Sequence, residues 1–323
     1  EIISRHQSYH GSTLGALSAG ENIPRRKPYE PLLSQHIHHI APCHFWRWGK
    51  DDETEKDYAI RVANELESKI IELGPDNVSS FICETIVGAT MGAVCPSRGY
   101  FERIREICNK YDILLILDEV MCGMGRCGKL FAFEDYNIIP DIICIAKGLG
   151  AGYQPIGAMI CDDKIYSSIK NYSGYFEHGH SYLAHPTACA AAVAVLEQLV
   201  VPGFLDKTIE KGNYLRKILE DKFSHSKYIG NIRGQGLLIG IEVVENNITN
   251  KAFDPKYSIH RLFKKFALEE GLMIYPGGGT IDGVIGDHIL LAPPFIVSQS
   301  QMHEIVDKLH LAHDKVIDSI DFL

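Results

Sequence analysis

A lysine and an aspartate that each close an apolar run carry the clearest chemistry in this chain. Lys147 ends Asp141-Ile-Ile-Cys-Ile-Ala-Lys147 and is followed by Gly148-Leu-Gly150, while Asp118 ends Asp112-Ile-Leu-Leu-Ile-Leu-Asp118, 29 positions earlier. Both runs are short and apolar, with β-branched residues and turn formers behind them, which is the pattern of buried parallel strands. Ligands of open α/β sheets bind at the carboxyl ends of strands, so the pattern predicts that the two side chains meet at one rim. A lysine for a Schiff base and an acid for a pyridine nitrogen are what pyridoxal phosphate requires from its protein. Taken alone, each residue also fits a plainer role, the aspartate as a helix cap and the lysine as a solvated strand end.

The elements that must position this pair can be read along the chain. Residues 1–50 hold the turn Tyr9-His10-Gly11 and a loop rich in proline and histidine. Residues 52–73 have helical spacing with charge on one face, 79–83 read as a strand, 99–111 as a helix and 155–161 as a further strand. Strand and helix in alternation predict a mainly parallel sheet with right-handed crossovers. Val201-Pro-Gly203 reads as a hinge. Beyond it, a charged helix at 205–223, a strand at 236–244 and helices at 258–270 and 299–320 predict a smaller α+β domain. The division is therefore a large domain at 1–200 and a small one at 201–323.

Composition narrows the classes. At 323 residues, 46% hydrophobic and 23% charged, the chain can bury a large core. A net charge of −9 and no Lys/Arg-rich run argue against nucleic acid as a partner. The longest stretch of small apolar residues, 188–196, is too short to span a bilayer, so no membrane association is expected. Nine cysteines are scattered without a CxxC pair, and no signal peptide precedes Glu1. A reducing, cytoplasmic location is the expectation. Neither His36-Ile-His-His39 with Cys43 and His44, nor His178 with His180 and His185, has the spacing of a structural zinc site, so no metal is expected. Gly277-Gly-Gly279 lacks the Lys-Ser/Thr of a phosphate-binding P-loop and reads as a flexible loop over a substrate entrance.

Six segments occur in one order along the chain. They are Ser8-Tyr-His-Gly-Ser-Thr-Leu-Gly-Ala-Leu-Ser18, Leu117-Asp-Glu-Val-Met-Cys-Gly-Met-Gly-Arg126, Ala146-Lys-Gly-Leu-Gly150, Glu177-His-Gly-His-Ser-Tyr-Leu-Ala-His-Pro-Thr187, Arg233-Gly-Gln-Gly-Leu-Leu-Ile-Gly240 and Gly286-Asp-His-Ile-Leu-Leu-Ala-Pro-Pro-Phe295. Together they resemble class III aminotransferases, the pyridoxal 5'-phosphate-dependent ω-aminotransferase group of fold type I. The resemblance implies an α/β fold with a seven-stranded, mainly parallel sheet. Relative to that family the sequence opens partway into the large domain, and the glycine/serine loop that opens a helix under the cofactor phosphate is not in it.

The resemblance also implies roles. Lys147 would anchor the cofactor and shuttle the proton, and Asp118 would hold the pyridine nitrogen. Tyr9 would stack on the ring, with His10 and Gly11 shaping the turn beside it. Val120 would pack on the opposite face. Glu84 matches the glutamate of the family's Glu-Pro pair, with Thr85 in place of the proline, and would orient Asp118 or the cofactor hydroxyl. His180 and Ser181 match the segment that reaches the phosphate of the neighbouring subunit, which implies a homodimer with shared active sites.

Substrate choice is informed by two departures. Many class III enzymes carry an arginine just before the Gly-Asp-x-Ile stretch; here Thr280-Ile-Asp-Gly-Val-Ile285 has none. The second glutamate of ornithine- and GABA-type members is Ala89. The pattern is closer to ω-amino acid:pyruvate or amine:pyruvate aminotransferases, with a primary amine or ω-amino acid as donor and a small keto acid as acceptor. An aminomutase or a decarboxylase on the same fold, or a non-catalytic homologue, stays open as an alternative.

Overall fold

The computed structural model describes residues 1–321. Strands β1 (Ile2–Arg5), β2 (Ile37–Ile40), β3 (Ser80–Glu84), β4 (Leu114–Asp118), β5 (Ile142–Ile145) and β6 (Ala158–Cys161) form one sheet in the order β2-β1-β3-β4-β5-β6. All neighbours pair in parallel except β5 and β6, which are antiparallel. A seven-stranded sheet was the expectation, and the described residues supply six strands. The remaining four, β7 (Ile229–Gln235), β8 (Leu238–Val243), β9 (Tyr275–Gly278) and β10 (Asp287–Leu291), pair with one another in a separate antiparallel sheet ordered β7-β8-β10-β9.

The first sheet is fixed by a face of apolar side chains under two helices. Glu55–Leu73 starts at Thr54, whose hydroxyl accepts the Asp57 N–H at 3.2 Å. It buries Tyr58, Val62, Leu66 and Ile70, one stripe at helical spacing. Tyr100–Tyr111 buries Phe101, Ile104, Ile107 and Cys108 in the same way. Both stripes join Phe81 and Cys83 of β3 and Leu115 and Leu117 of β4 in one core cluster. Burying each such side chain contributes about 1.5–3 kcal/mol, so the central strands are the most firmly held part of the sheet.

The second sheet has its own core, built from Leu215 and Leu219 of the helix Phe204–Phe223, Ile239 and Ile241 of β8, Phe263 of the helix Ile259–Glu269, and Met302 and Val306 of the helix Gln299–Asp321. The strand expected at 236–244 is the second arm of a hairpin. β7 went unread because its Ile-Gly-Asn-Ile-Arg-Gly-Gln lacks alternation and carries two glycines. The hairpin turns at Gly236, with φ of +54°, where an added Cβ would lie 2.7 Å from the Arg126 carbonyl oxygen. Among the described residues no single helix is long and apolar enough to cross a membrane.

Candidate active site

Glu84, Asp118 and Cys144 lie side by side, because Glu84 pairs with Asp118 across β3–β4 and Asp118 with Cys144 across β4–β5. Glu84 and Asp118 end their strands at the carboxyl rim of the sheet, Cys144 lies one residue before the end of β5, and Lys147 follows just past it. The two residues singled out from spacing are thus neighbours on one edge.

Lys147 opens a 3-10 turn, Lys147–Leu149, with φ of +40°, a region that a side chain with a Cβ seldom adopts. Close packing leaves room only for glycine behind it, since a Cβ at Gly148 would meet the Met124 Cβ at 2.8 Å. The Lys147 side chain is exposed, and no group among the described residues hydrogen-bonds or pairs with its amine.

Asp118 is held from two sides. Its Oδ2 lies 2.8 Å from Nδ1 of His10, with both side chains nearly buried, and its Oδ1 accepts the Val120 N–H at 2.9 Å. Each carboxylate oxygen keeps a second lone pair for a further donor. Val120 lies outside the strand, in the turn that its N–H closes onto Asp118. β4 stops at Asp118 because the aspartate caps its own turn. Whatever the Val120 side chain packs on, its backbone holds Asp118.

Tyr9 and Gly11 flank His10. Gly11 has φ of +132°, and a Cβ there would press on Ala16 at 3.1 Å. The Tyr9 hydroxyl sits 3.0 Å from Ser12 Oγ and accepts from Arg25 Nη1 at 3.0 Å, while the Arg25 guanidinium lies 4.9 Å from the centre of its ring.

Glu84 is buried beside Asp118 without a hydrogen bond to it. Oε1 accepts a long bond from the Gly88 N–H at 3.4 Å, and Oε2 has no partner. Burial pushes its carboxyl up to about 7, with Asp118 adding to the rise and His10 and Arg5 opposing it. Of the two roles implied for Glu84, orienting Asp118 falls to His10. The departure at Thr85 has a structural reason, since its hydroxyl donates to Glu119 Oε1 at 2.6 Å. Glu119 also accepts from Ala132 N–H at 2.7 Å and Phe133 N–H at 3.0 Å, which ties the turn after β4 to the segment beyond it.

His180 and Ser181 stand apart from this cluster. Both are exposed, and His180 touches His178 with ring centres 5.0 Å apart. Among the described residues neither makes a hydrogen bond, ion pair or ring contact with Asp118 or Lys147. The glycine loop expected to be flexible is pinned. Gln7 donates to the Gly279 carbonyl at 2.7 Å, and a Cβ at Gly277 would meet the His288 ring at 2.4 Å. His288 reaches Thr280 Oγ1 at 2.7 Å and the Ala89 carbonyl at 3.2 Å, and burial pushes its imidazole down to about 3. Sequence reasoning missed the partnerships of His10, Glu119 and His288. For Glu119 a signal was present, an acid directly behind a strand-ending acid beside a polar replacement at Thr85. For the two histidines, Asp118 lies 108 positions from His10 and Ala89 lies 199 from His288, beyond the reach of spacing, while Thr280, eight positions before His288, is a local partner.

A free lysine amine, a carboxylate fixed with acceptor capacity to spare and an orphaned buried oxygen at Glu84 are suitable for a protonated, hydroxylated pyridine aldehyde. Such a pair on the rim of a mainly parallel sheet defines the pyridoxal phosphate-dependent proteins of fold type I. Within that class the chain belongs to the class III aminotransferases, whose family profile, Aminotransferase class-III, matches residues 1–312. It is 42% identical over 308 residues to an uncharacterized aminotransferase of Schizosaccharomyces pombe, covering 95% of this chain and 67% of that protein. It is 37% identical to gamma aminobutyrate transaminase 3, chloroplastic, of Solanum lycopersicum, covering 95% of this chain and 58% of that protein. Among solved structures, a PLP-bound aminotransferase mutant from Vibrio fluvialis superposes with a TM-score of 0.90 at 31% identity, covering 99% of this chain and 69% of that one. The chain spans about two thirds or less of the length of the curated relatives it matches.

Proposed function

We propose that the intact protein is a pyridoxal phosphate-dependent aminotransferase that moves an amino group from a primary amine or ω-amino acid to a small keto acid such as pyruvate. The observation that carries the reading is the Asp118 carboxylate, fixed by His10 and the Val120 N–H at the same rim as an uncommitted Lys147. The cofactor, when bound, supplies an electron sink for the carbanion formed at the substrate carbon. Asp118 holds the ring nitrogen protonated, because an adjacent carboxylate favours its charged form. The Lys147 Nζ anchors the cofactor and then carries the proton at the reacting carbon. Tyr9 covers one face of the ring, and Glu84 Oε2 suits the ring hydroxyl as a partner.

The absence of an arginine at 280–285 and Ala89 in place of an acid favour amine or ω-amino acid donors. A homodimer sharing its sites is supported by the surroundings of His180 and Ser181, where Tyr172, Tyr175, Phe176, Tyr182 and Leu183 are exposed together. The buried free thiols favour a reducing, cytoplasmic setting.

The test is direct. The full-length protein with pyridoxal phosphate should absorb near the visible edge, and borohydride should fix the cofactor to the Lys147 peptide. A screen of amine donors with pyruvate should then yield alanine. Cofactor fixed elsewhere, or no alanine from any donor, overturns the reading.

A further inference from the structure

Arg126 is a charged side chain set into the joint between the two sheets. Its Nη1 donates to the Pro293 carbonyl at 2.6 Å and reaches the Leu237 carbonyl at 3.5 Å. Its guanidinium lies 4.3 Å from the centre of the Phe295 ring, and its own carbonyl accepts the Leu237 N–H at 3.1 Å. No carboxylate among the described residues pairs with it, and burial works against its charge. A half-buried cation that bonds only to carbonyls gains little stability for the fold.

Behind Arg126 lies the Lys147 turn. Met124, two residues earlier and sealed from solvent, bears on Gly148, where an added Cβ would lie 2.8 Å from the Met124 Cβ. Lys147 and Met124 have φ of +40° and +52°, so this contact joins two non-glycine residues, or their direct neighbour, in left-handed backbone. Such conformations persist only where the surroundings over-determine them. The next residue, Gly125, is hemmed in as well. A Cβ there would lie 3.0 Å from Leu205, 3.1 Å from Leu199 and 3.4 Å from Phe295. The segment is therefore wedged between the lysine turn and the second sheet with its helices, and its far end is fixed by Arg126 through backbone and side chain together.

We propose that Arg126 is a positioning residue for Lys147: by fixing the turn at 123–126 against the second sheet, it holds Met124 on Gly148 and keeps the lysine turn in its left-handed setting. The inference rests on the aminotransferase reading above and concerns a residue that acts only through its neighbours. An amine that both anchors a cofactor and carries a proton works over a narrow range of positions, and a displacement of about 1 Å caused by a distant change can cost about a hundredfold in rate. The Lys147 amine has no partner of its own among the described residues, so its aim depends on the backbone beneath it.

The experiment uses the full-length protein. In the apo-protein, hydrogen exchange read by mass spectrometry should quicken about tenfold at the 146–151 peptide in Arg126→Met, while peptides of the helix 55–73 keep their rates. In the cofactor-loaded protein, kcat and kcat/KM for an amine donor should fall together by about 10–100-fold, and the absorbance pH profile of the bound cofactor should move. Arg126→Lys keeps a donor for the Pro293 carbonyl and should recover most of the loss. The control is Lys211→Met. Lys211 donates to the Phe295 carbonyl at 2.6 Å, in the same joint but without contact to the lysine turn, and its loss should leave the 146–151 exchange and the absorbance profile unmoved. Met124→Gly removes the Cβ that bears on Gly148 and should reproduce the signature, with Arg126→Met costing less than about twofold more when added to it. Unchanged exchange at 146–151, the same signature from Lys211→Met, or multiplying losses in the double variant would each overturn the assignment. Should Arg126→Met fail to fold, Met124→Gly alone decides, since unchanged exchange and an unmoved profile there would overturn it. If the wild-type protein transfers no amino group, the aminotransferase reading fails by itself, and hydrogen exchange in the apo-protein still decides the role of Arg126.

Discussion

His10 Nδ1 and Asp118 Oδ2 are 2.8 Å apart although 108 residues separate them in sequence. The contact joins the turn after β1 to the end of β4, and both side chains are almost sealed from solvent. Out of water, a hydrogen bond to a carboxylate is worth about 1.5–3 kcal/mol. His10→Ala should therefore leave the carboxylate present but loosely aimed, lowering kcat by about 10–100-fold. Asp118→Asn removes the charge itself and should cost more, about a hundredfold or beyond. Because His10 acts through Asp118, the absorbance pH profile of the bound cofactor should shift in His10→Ala and recover partly in His10→Asn. An unshifted profile would reduce His10 to a packing residue.

Lys147 couples strain to chemistry. Its φ of +40° suits glycine, which adopts that region without a Cβ clash. The exposed side chain contributes few contacts to the fold. Lys147→Gly should thus equal the wild type in stability or exceed it by about 1 kcal/mol, while losing all turnover and all borohydride-fixed cofactor. The urea midpoint of the apo-protein checks the first half and peptide mass the second. A strong loss of stability would mean that Lys147 also supports the fold.

Much of this is legible in the sequence itself. β3, β4 and β5 announce themselves because buried parallel strands are continuous apolar runs, and the helices at 55–73 and 100–111 because one stripe of each is apolar. β1 and β2 were hidden in the loop read at residues 1–50. Each has four residues, and the Ile-His-His-Ile of β2 shows no alternation of apolar and polar positions. In the site, Lys147 and Asp118 follow from strand ends, since side chains there must meet at the rim. The grip of His10 on Asp118 depends on the β3 strand inserted between β1 and β4, which no local spacing encodes.

Glu84 gives a pH signature. Burial raises its carboxyl to about 7 from the usual range near 4.5, so the folded state prefers the protonated form. A group whose folded value is raised supports stability below the unfolded value and loses that support as pH climbs through the folded one. The apo-protein should therefore lose stability between pH 4.5 and about 7 through this residue, at up to about 1.4 kcal/mol per pH unit. Glu84→Gln keeps the shape without the charge and should gain on the wild type as pH rises across that window. Melting temperatures at pH 5 and pH 8 read the difference. If the gap between the two proteins stays constant, Glu84 does not titrate there.

Thr85 and Glu119 should behave as one unit. The Thr85 hydroxyl donates to Glu119 Oε1 at 2.6 Å, and both residues are fully buried. Thr85→Val removes the donor and preserves the volume, leaving the carboxylate with the Ala132 and Phe133 N–H groups. Each single replacement, Thr85→Val or Glu119→Gln, should lower stability, and the loss in the double variant should fall short of their sum by about 1.5–3 kcal/mol. Because Glu119 follows Asp118 directly, the same variants should also weaken cofactor binding, whereas a surface control such as Lys110→Ala should not. Additive losses in urea unfolding would show that the hydroxyl and the carboxylate are not coupled, and the replacement of proline by threonine at this position would then need another cause.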